Sequence, residues 1–360
     1  MSAPRLEIDL DKIRHNALSL VKQLSSRGIS ITGVTKSFLG SPEIANTLLQ
    51  AGIHTLGDSR IENIETMRHA SVNAPMMLIR SPMLSQVDRV AALANISFNT
   101  ELDVIRGLSD AAGNIGRDHG VVLMIELGDL REGIMPNDLE NFVSEVLTMP
   151  NIQLKGIGTN LACRSGVSPG ARNMGELSDL ANTIEQTFGI RLDIVSGGNS
   201  GNLQWALGTK DTGRINDLRL GEAVLLGCET LQRQAIAGLY SDAFTLVAEV
   251  IESKVKPAQP WGELAQTAYG TAPSPSKKQG LITQSILAIG LQDTDTAGLL
   301  APEGMEILGA SSDHLIIDAG RQLAVGLEIR FQLNYSALVR AMTSPFVARV
   351  HSDSKSLKVA

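Results

Sequence analysis

The sequence predicts an α/β protein, a (β/α)₈ TIM barrel followed by a mostly β C-terminal domain. Three observations carry that expectation. From residue 31 onward, short apolar runs alternate with amphipathic stretches at a tempo of roughly 20 to 30 residues, the spacing of βα units. Hydrophobic residues make up 43% of the 360-residue chain and aromatics only 3%, a Val/Ile/Leu/Ala-rich balance that suits parallel strands buried on both faces. After about residue 236 strand-like runs continue without convincing helices between them, so a second domain of different character begins there.

Taken in order, Arg5-Leu6-Glu7-Ile8-Asp9-Leu10 alternates like a strand, and Asp11 opens a helix running to about Leu24. Barrel strands are expected at 31–36, 54–58, 76–80, 95–98, 121–127, 154–161, 192–196 and 215–220. The helices between them include 42–52, 137–149, whose start Asp138 can help to cap, and 176–188, ended by Gly189. The barrel then covers 11–235, and 236–360 together with the strand at 4–10 forms the β-rich domain. Its strands are expected at 244–251, 281–289, 305–308, 314–317 and 329–333. The stretch 270–280, with its breakers and Lys277-Lys278, reads as a turn or excursion, and 352–360 as a frayed tail.

Charge and composition narrow the function. The net charge of -7 has no basic block to offset it, so nucleic acid is not an expected partner. Cys163 and Cys228 lack metal-ligand spacing and cannot build a disulfide framework; both are expected as reduced thiols in the core or near a site. The histidines are scattered with no paired pattern, so no metal is expected. No apolar stretch has membrane-spanning length, and Met1-Ser2-Ala3-Pro4-Arg5 opens no signal-peptide hydrophobic region. A cytoplasmic protein without a membrane partner is expected.

Lys36 ends the run Ile31-Thr32-Gly33-Val34-Thr35-Lys36, at the carboxyl end of the first barrel strand. Ligands bind at that end of a β/α barrel, and a lysine held among apolar neighbours there can lose its proton and condense with an aldehyde. Taken singly it reads as a solvated strand-end charge, and the rest of the chain overturns that reading. Ser196-Gly197-Gly198-Asn199-Ser200-Gly201 is a glycine-rich strand-to-helix turn of the seventh βα unit, suited to a phosphate cradle or simply to a tight turn.

Several blocks together resemble the fold-type III pyridoxal-phosphate enzymes, the alanine racemase and ornithine decarboxylase group. Ile8-Asp9-Leu10-Asp11-Lys12-Ile13-Arg14-His15-Asn16 and Gly33-Val34-Thr35-Lys36 look like the alanine racemase opening. Gly158 to Cys163 (GTNLAC), Ser196 to Ser200 (SGGNS), Leu218 to Ala223 (LRLGEA) and Ser311 to Leu315 (SSDHL) match the ornithine racemase-like branch. The resemblance spans nearly the whole chain and implies pyridoxal 5'-phosphate on Lys36 and a homodimer whose active sites lie between one barrel and the partner's β domain. It also implies that Ser200, with main-chain N–H groups of Gly221 and Glu222, holds the cofactor phosphate. Arg219 would face the pyridine nitrogen; an arginine delivers no proton, so the ring stays a weaker electron sink and Cα proton exchange is favoured. Arg131 matches the arginine near the phenolic oxygen and the substrate carboxylate, and Asn160 stands where alanine racemases place a histidine against the ring. Tyr335 and His351 match carboxy-terminal family positions.

The departures point elsewhere for the second acid/base. Alanine racemases carry a catalytic tyrosine in a Gly-Tyr-Ala-Asp-Gly block, and here the block reads Gly290-Leu291-Gln292-Asp293-Thr294. Ser312 sits where decarboxylases carry a proton-donating cysteine, and His314 and Tyr269 are other groups able to move a proton; the choice among them, or Lys36 acting on both faces, stays open. Asp293 and Asp313 match two carboxylates that hold a distal ammonium in ornithine decarboxylase, which favours a dibasic amino acid. The expectation is an amino-acid racemase acting on ornithine or lysine. Its rivals are an alanine or broad-specificity racemase, a decarboxylase, which Arg219 argues against, and a non-enzymatic pyridoxal-phosphate homeostasis protein, which would lack the domain from 236 to 360.

Overall fold

The computed structural model describes residues 3–266, 269–270 and 278–353. Lys277, with most of the stretch 270–280, and the tail from 354 lie outside the described residues. The chain forms two compact units, Lys12–Ser241 and Met1–Asp11 together with Asp242–Ala360.

The first strand, β1 (Arg5–Asp9), belongs to the second of these units, and a helix over Leu10–Ser25 follows it. The barrel strands are β2 (Ser30–Val34), β3 (Thr55–Asp58), β4 (Met76–Leu78), β5 (Ile96–Asn99), β6 (His119–Met124), β7 (Ile152–Gly158), β8 (Ile194–Ser196) and β9 (Asp217–Leu220). They close in sequence order into one barrel, β9 pairing with β2 in parallel. All eight expected strands are present. β6 and β9 are buried at every residue; β6 reads as a continuous apolar run from Val121 to Met124, as a strand covered on both faces does, whereas β9 alternates Asp217 and Arg219 with its leucines. β6 stops at Met124, short of the expected 127, because Ile125 already bridges to Ile134 across the loop that follows. Met77, Phe98, Val122 and Met124 form an apolar cluster with Ile79, Ile96 and Ile194 packed against it.

Two helical details differ from expectation. Asp138 makes no side-chain capping bond and instead ends a short 3₁₀ turn, Pro136–Asp138, ahead of the helix Leu139–Leu147. The helix ending at Phe188 begins at Ala171, not at 176, because Asn173 Oδ1 accepts the Gly170 N–H (2.8 Å) and caps an extra turn that carries little apolar periodicity. The barrel unit also extends through 236–241. There Tyr240 N donates to Asn16 Oδ1 (2.8 Å) and the Tyr240 ring meets His15 edge-on.

The second unit is a mostly antiparallel sheet built from β10 (Phe244–Pro257), β11 (Leu281–Leu287), β12 (Leu299–Leu300), β13 (Glu306–Ala310), β14 (Leu315–Asp318) and β15 (Glu328–Leu333). They lie in the order β12-β15-β10-β11-β14-β13. β15 alternates exposed and buried residues perfectly, as a strand with one wet face must. β1 pairs antiparallel with β10 and parallel with β16 (Ala348–Ser352). Neither β16 nor the helix Tyr335–Thr343 was expected. That helix is short, buries only Ala337, Leu338, Ala341 and Met342, and starts where Asn334 Oδ1 accepts from Ala337 N (3.0 Å). Among the described residues no helix is long and apolar enough to cross a membrane.

Candidate active site

The barrel strands deliver seven of the singled-out residues to their carboxyl ends. Lys36 opens a 3₁₀ turn just past β2. Part of its side chain is open to solvent, yet protein surrounds the amine closely enough that burial pushes its pKa below the ordinary lysine value. Cys163 and Asp58 pull the other way, while the Arg131 and Arg219 cations help to hold it down. A larger neutral fraction makes the amine a better nucleophile and base.

Asp58, the last residue of β3, is fully buried beside this amine. Its carboxylate accepts from Thr35 Oγ1 (2.5 Å), Arg60 N (2.8 Å) and Asn63 Nδ2 (3.0 Å). Burial still raises its pKa, against those bonds. Thr35 is thereby tied down, and the lysine that follows it inherits a fixed backbone.

Arg219 lies on β9 and is only 4% exposed. Its Nη2 donates to Thr159 O (2.7 Å) and Asn160 Oδ1 (3.3 Å), and its Nη1 donates to Ser196 Oγ. The guanidinium carbon stands 4.9 Å from the Phe98 ring centroid, a cation–π contact. Asn160 Oδ1 also accepts from Asn199 Nδ2 (3.2 Å), which leaves Asn160 Nδ2 buried without a hydrogen-bond partner. Glu222 is three residues on but faces away: it opens the helix Glu222–Leu226 and pairs with Arg233.

The turn after β8 is held by Asn199, whose Oδ1 accepts from Gly201 N (2.7 Å) and whose Nδ2 donates to Leu161 O (2.8 Å) and approaches Cys163 Sγ (3.4 Å). Ser200 Oγ accepts from Ala223 N (3.2 Å), joining this turn to the one after β9. None of the loop and turn hydrogen bonds among the described residues uses the N–H of Ser200, Gly221 or Glu222. Arg131 is on the loop after β6, paired with Glu132. Asp129 clamps that loop to the next, its carboxylate accepting from the N–H groups of Arg164 (3.0 Å) and Ser165 (3.0 Å).

The remaining candidates are in the β unit. Leu291 N donates to Ser311 O (2.9 Å) and Gln292 N to Ser312 O (3.0 Å), so the turn that lost the family tyrosine lies against the turn carrying Ser312, Asp313 and His314. Gly290 permits that approach, since a Cβ there would stand 2.4 Å from Asp313 N. Asp313 is exposed; its Oδ1 accepts from His314 Nδ1 (2.8 Å) and Ser312 Oγ (3.2 Å), and its Oδ2 takes no hydrogen bond among the described residues. The His314 bond, first, holds the Asp313 carboxyl below the usual range. Asp293 differs. It is 4% exposed, its Oδ1 accepts from Ser344 Oγ (2.9 Å) and its Oδ2 from Gly290 N (3.3 Å). Both Asp293 oxygens are thus engaged, one by the turn and one by Ser344, whereas Asp313, expected beside it as a ligand of a distal ammonium, keeps an open oxygen. Tyr335 opens the helix Tyr335–Thr343, Tyr269 is exposed, and His351 is on β16 with its Nε2 buried and unpartnered.

Sequence reasoning missed Asp58, Ser196 and Asp217. For the last, spacing alone gives a weak signal: Asp217 and Arg219 are two apart on one strand and so share its face.

A closed parallel barrel with a lysine past its first strand and an antiparallel unit beside it in the chain is the architecture of alanine racemase structures. The alanine racemase of a D-cycloserine producing Streptomyces lavendulae superposes with a TM-score of 0.77 over 100% of both chains at 18% identity, a likeness of fold. The model of the alanine racemase N-terminal domain matches residues 8–227, and the chain belongs to that family. The ornithine racemase of Acetoanaerobium sticklandii is 38% identical over 96% of this chain and 99% of its own. The lysine racemase of Thermotoga maritima is 37% identical over 98% of this chain and 100% of its own.

Proposed function

We propose that this amino-acid racemase takes a dibasic substrate, ornithine or lysine, and that its cofactor is pyridoxal 5'-phosphate. The observation that carries the substrate reading is the open Asp313 Oδ2, a free carboxylate oxygen beside two proton-bearing groups, taken with the two full-length relatives. The cofactor reading is supported by the barrel mouth. The N–H groups of Ser200, Gly221 and Glu222 are available for a phosphate, the turn leaves Gly198 no room for a Cβ, which would lie 2.3 Å from Asn202 Oδ1, and Asn160 Nδ2 awaits an acceptor. Bound there, the cofactor supplies an aldehyde to hold and a ring that acidifies the substrate Cα–H.

The chain's own residues do the rest. Lys36 anchors the cofactor and, as a neutral amine, takes or returns the Cα proton on one face. Arg219, a hydrogen-bond donor whose guanidinium does not release a proton, would hold the cofactor ring without protonating its nitrogen. Arg131 orients the substrate carboxylate by charge. Ser312 or His314 moves the proton on the opposite face, with Asp313 orienting the imidazole through its Nδ1 bond, and Asp313 Oδ2 accepts the distal ammonium. We read the enzyme as a cytoplasmic homodimer in which the partner's β unit completes each site; the support is the family resemblance. The test is to incubate the pure protein with each L-amino acid and resolve the products by chiral chromatography. D-Ornithine or D-lysine should accumulate fastest; a preference for alanine would overturn the dibasic reading.

A further inference from the structure

The interior of a parallel barrel is ordinarily filled by branched apolar side chains. Here β9 turns an acid and a cation inward together. Asp217 and Arg219 are each 4% exposed. Asp217 Oδ1 accepts from Thr32 Oγ1 (2.7 Å) on β2, and Asp217 Oδ2 accepts from Ser196 Oγ (2.5 Å) on β8. Ser196 Oγ in turn accepts from Arg219 Nη1. Arginine has no acceptor, so Ser196 must receive the Arg219 hydrogen and direct its own single proton to Asp217. The chain of bonds therefore has one polarity, from guanidinium through hydroxyl to carboxylate. Burial disfavours both charges, and their mutual attraction opposes that in each.

We infer that Asp217 is the buried countercharge of Arg219 and its positioning residue: acting through Ser196, it holds the guanidinium at the angle from which it meets the cofactor ring. This rests on the reading that the ring lies against Arg219. Thr159 O and Asn160 fix the other guanidinium nitrogen, so loss of Asp217 frees one end and leaves a cation without compensation. The test is a double-mutant cycle on the full chain, Asp217→Asn, Arg219→Gln and both together, with and without added pyridoxal phosphate. Thermal midpoints and the visible circular dichroism of the bound cofactor are recorded. Each single variant should lower the midpoint by several degrees, and the double variant by less than the sum, because a pair removed whole leaves no orphan charge. Asp217→Asn should also alter the visible dichroic band and lower kcat by about tenfold with KM little changed. Ser196→Ala, a smaller excision, should reproduce the band change if the acid acts through that hydroxyl. Additive midpoint losses overturn the proposal, as does a Ser196→Ala band identical to wild type while Asp217→Asn moves it. A non-additive cycle with every band unmoved upholds the pair and removes instead the placement of the ring over Arg219.

Discussion

In the barrel unit, Asp58 has three hydrogen-bond donors, Arg219 reaches three different acceptors, and Asn199 ties two loops together. In the β unit, an exposed Ser312 and a half-buried His314 sit on one turn and share a single acceptor atom, Asp313 Oδ1. A side chain with several buried partners cannot change without orphaning the others, while an exposed one can. The difference separates a frame for chemistry common to many substrates from a surface on which substrate choice can be rewritten cheaply.

Lys36→Ala tests the frame most severely. Racemisation should fall on the order of 10⁴-fold, and borohydride should no longer fix cofactor on the chain. Peptide mapping of the wild-type adduct to Lys22 or Lys210 would break the assignment. Next in size is Arg219→Glu, which gives the ring nitrogen a proton source and should cost about 10²-fold in racemisation while a transamination side product grows. An unchanged product partition would mean that Arg219 does not face the ring.

The β unit should respond differently. Asp313→Asn is expected to lower kcat/KM for ornithine and lysine by about 10- to 100-fold and to leave alanine or serine turnover, where measurable, nearly unchanged. Asp293→Asn, acting on a buried turn, should cost about 1–3 kcal/mol of stability without altering substrate preference. Steady-state kinetics on both substrate classes with denaturant unfolding of both variants decides; equal losses on all substrates from Asp313→Asn would remove it from recognition.

A last test probes the frame through pH and touches stability alone. His119, buried on β6 with Nε2 bonded to Ser97 Oγ (2.8 Å), has its pKa pushed down by burial to about 4 from 6.5. Unfolded chains therefore take up this proton first as pH falls from 6.5 towards 4. The stability that neutral His119 contributes is full above pH 6.5 and is lost as pH falls through 4, up to about 3 kcal/mol. His119→Gln should flatten the acid limb of the stability curve in that window, measured by urea unfolding at stepped pH. An unchanged limb would place the acid sensitivity elsewhere.

The barrel was legible because short apolar runs recur along it at the βα tempo, and Lys36 because it closes one of them. Asp217 was not, since an aspartate in a four-residue strand looks like a strand-end charge until closure brings β2, β8 and β9 around it. Asp293 and Asp313 look alike in sequence, both being turn aspartates; burial and the Ser344 hydroxyl, far along the chain, tell them apart. The helix Tyr335–Thr343 escaped because a nine-residue amphipathic stretch amid strands carries a weak period.

β1 is zipped between β10 and β16, with Arg5 opposite both Val247 and Ala348. A ribosome makes β1 before the whole barrel, and both of its neighbours after it. During synthesis the barrel can close on itself while β1 waits unpaired, an exposed edge until β10 and β16 emerge. The β unit is thus the late-assembling half, governed by contacts of very long sequence separation. Slowed elongation past residue 241 should lengthen that window and, with it, the exposure of this strand to chaperones and to other nascent chains.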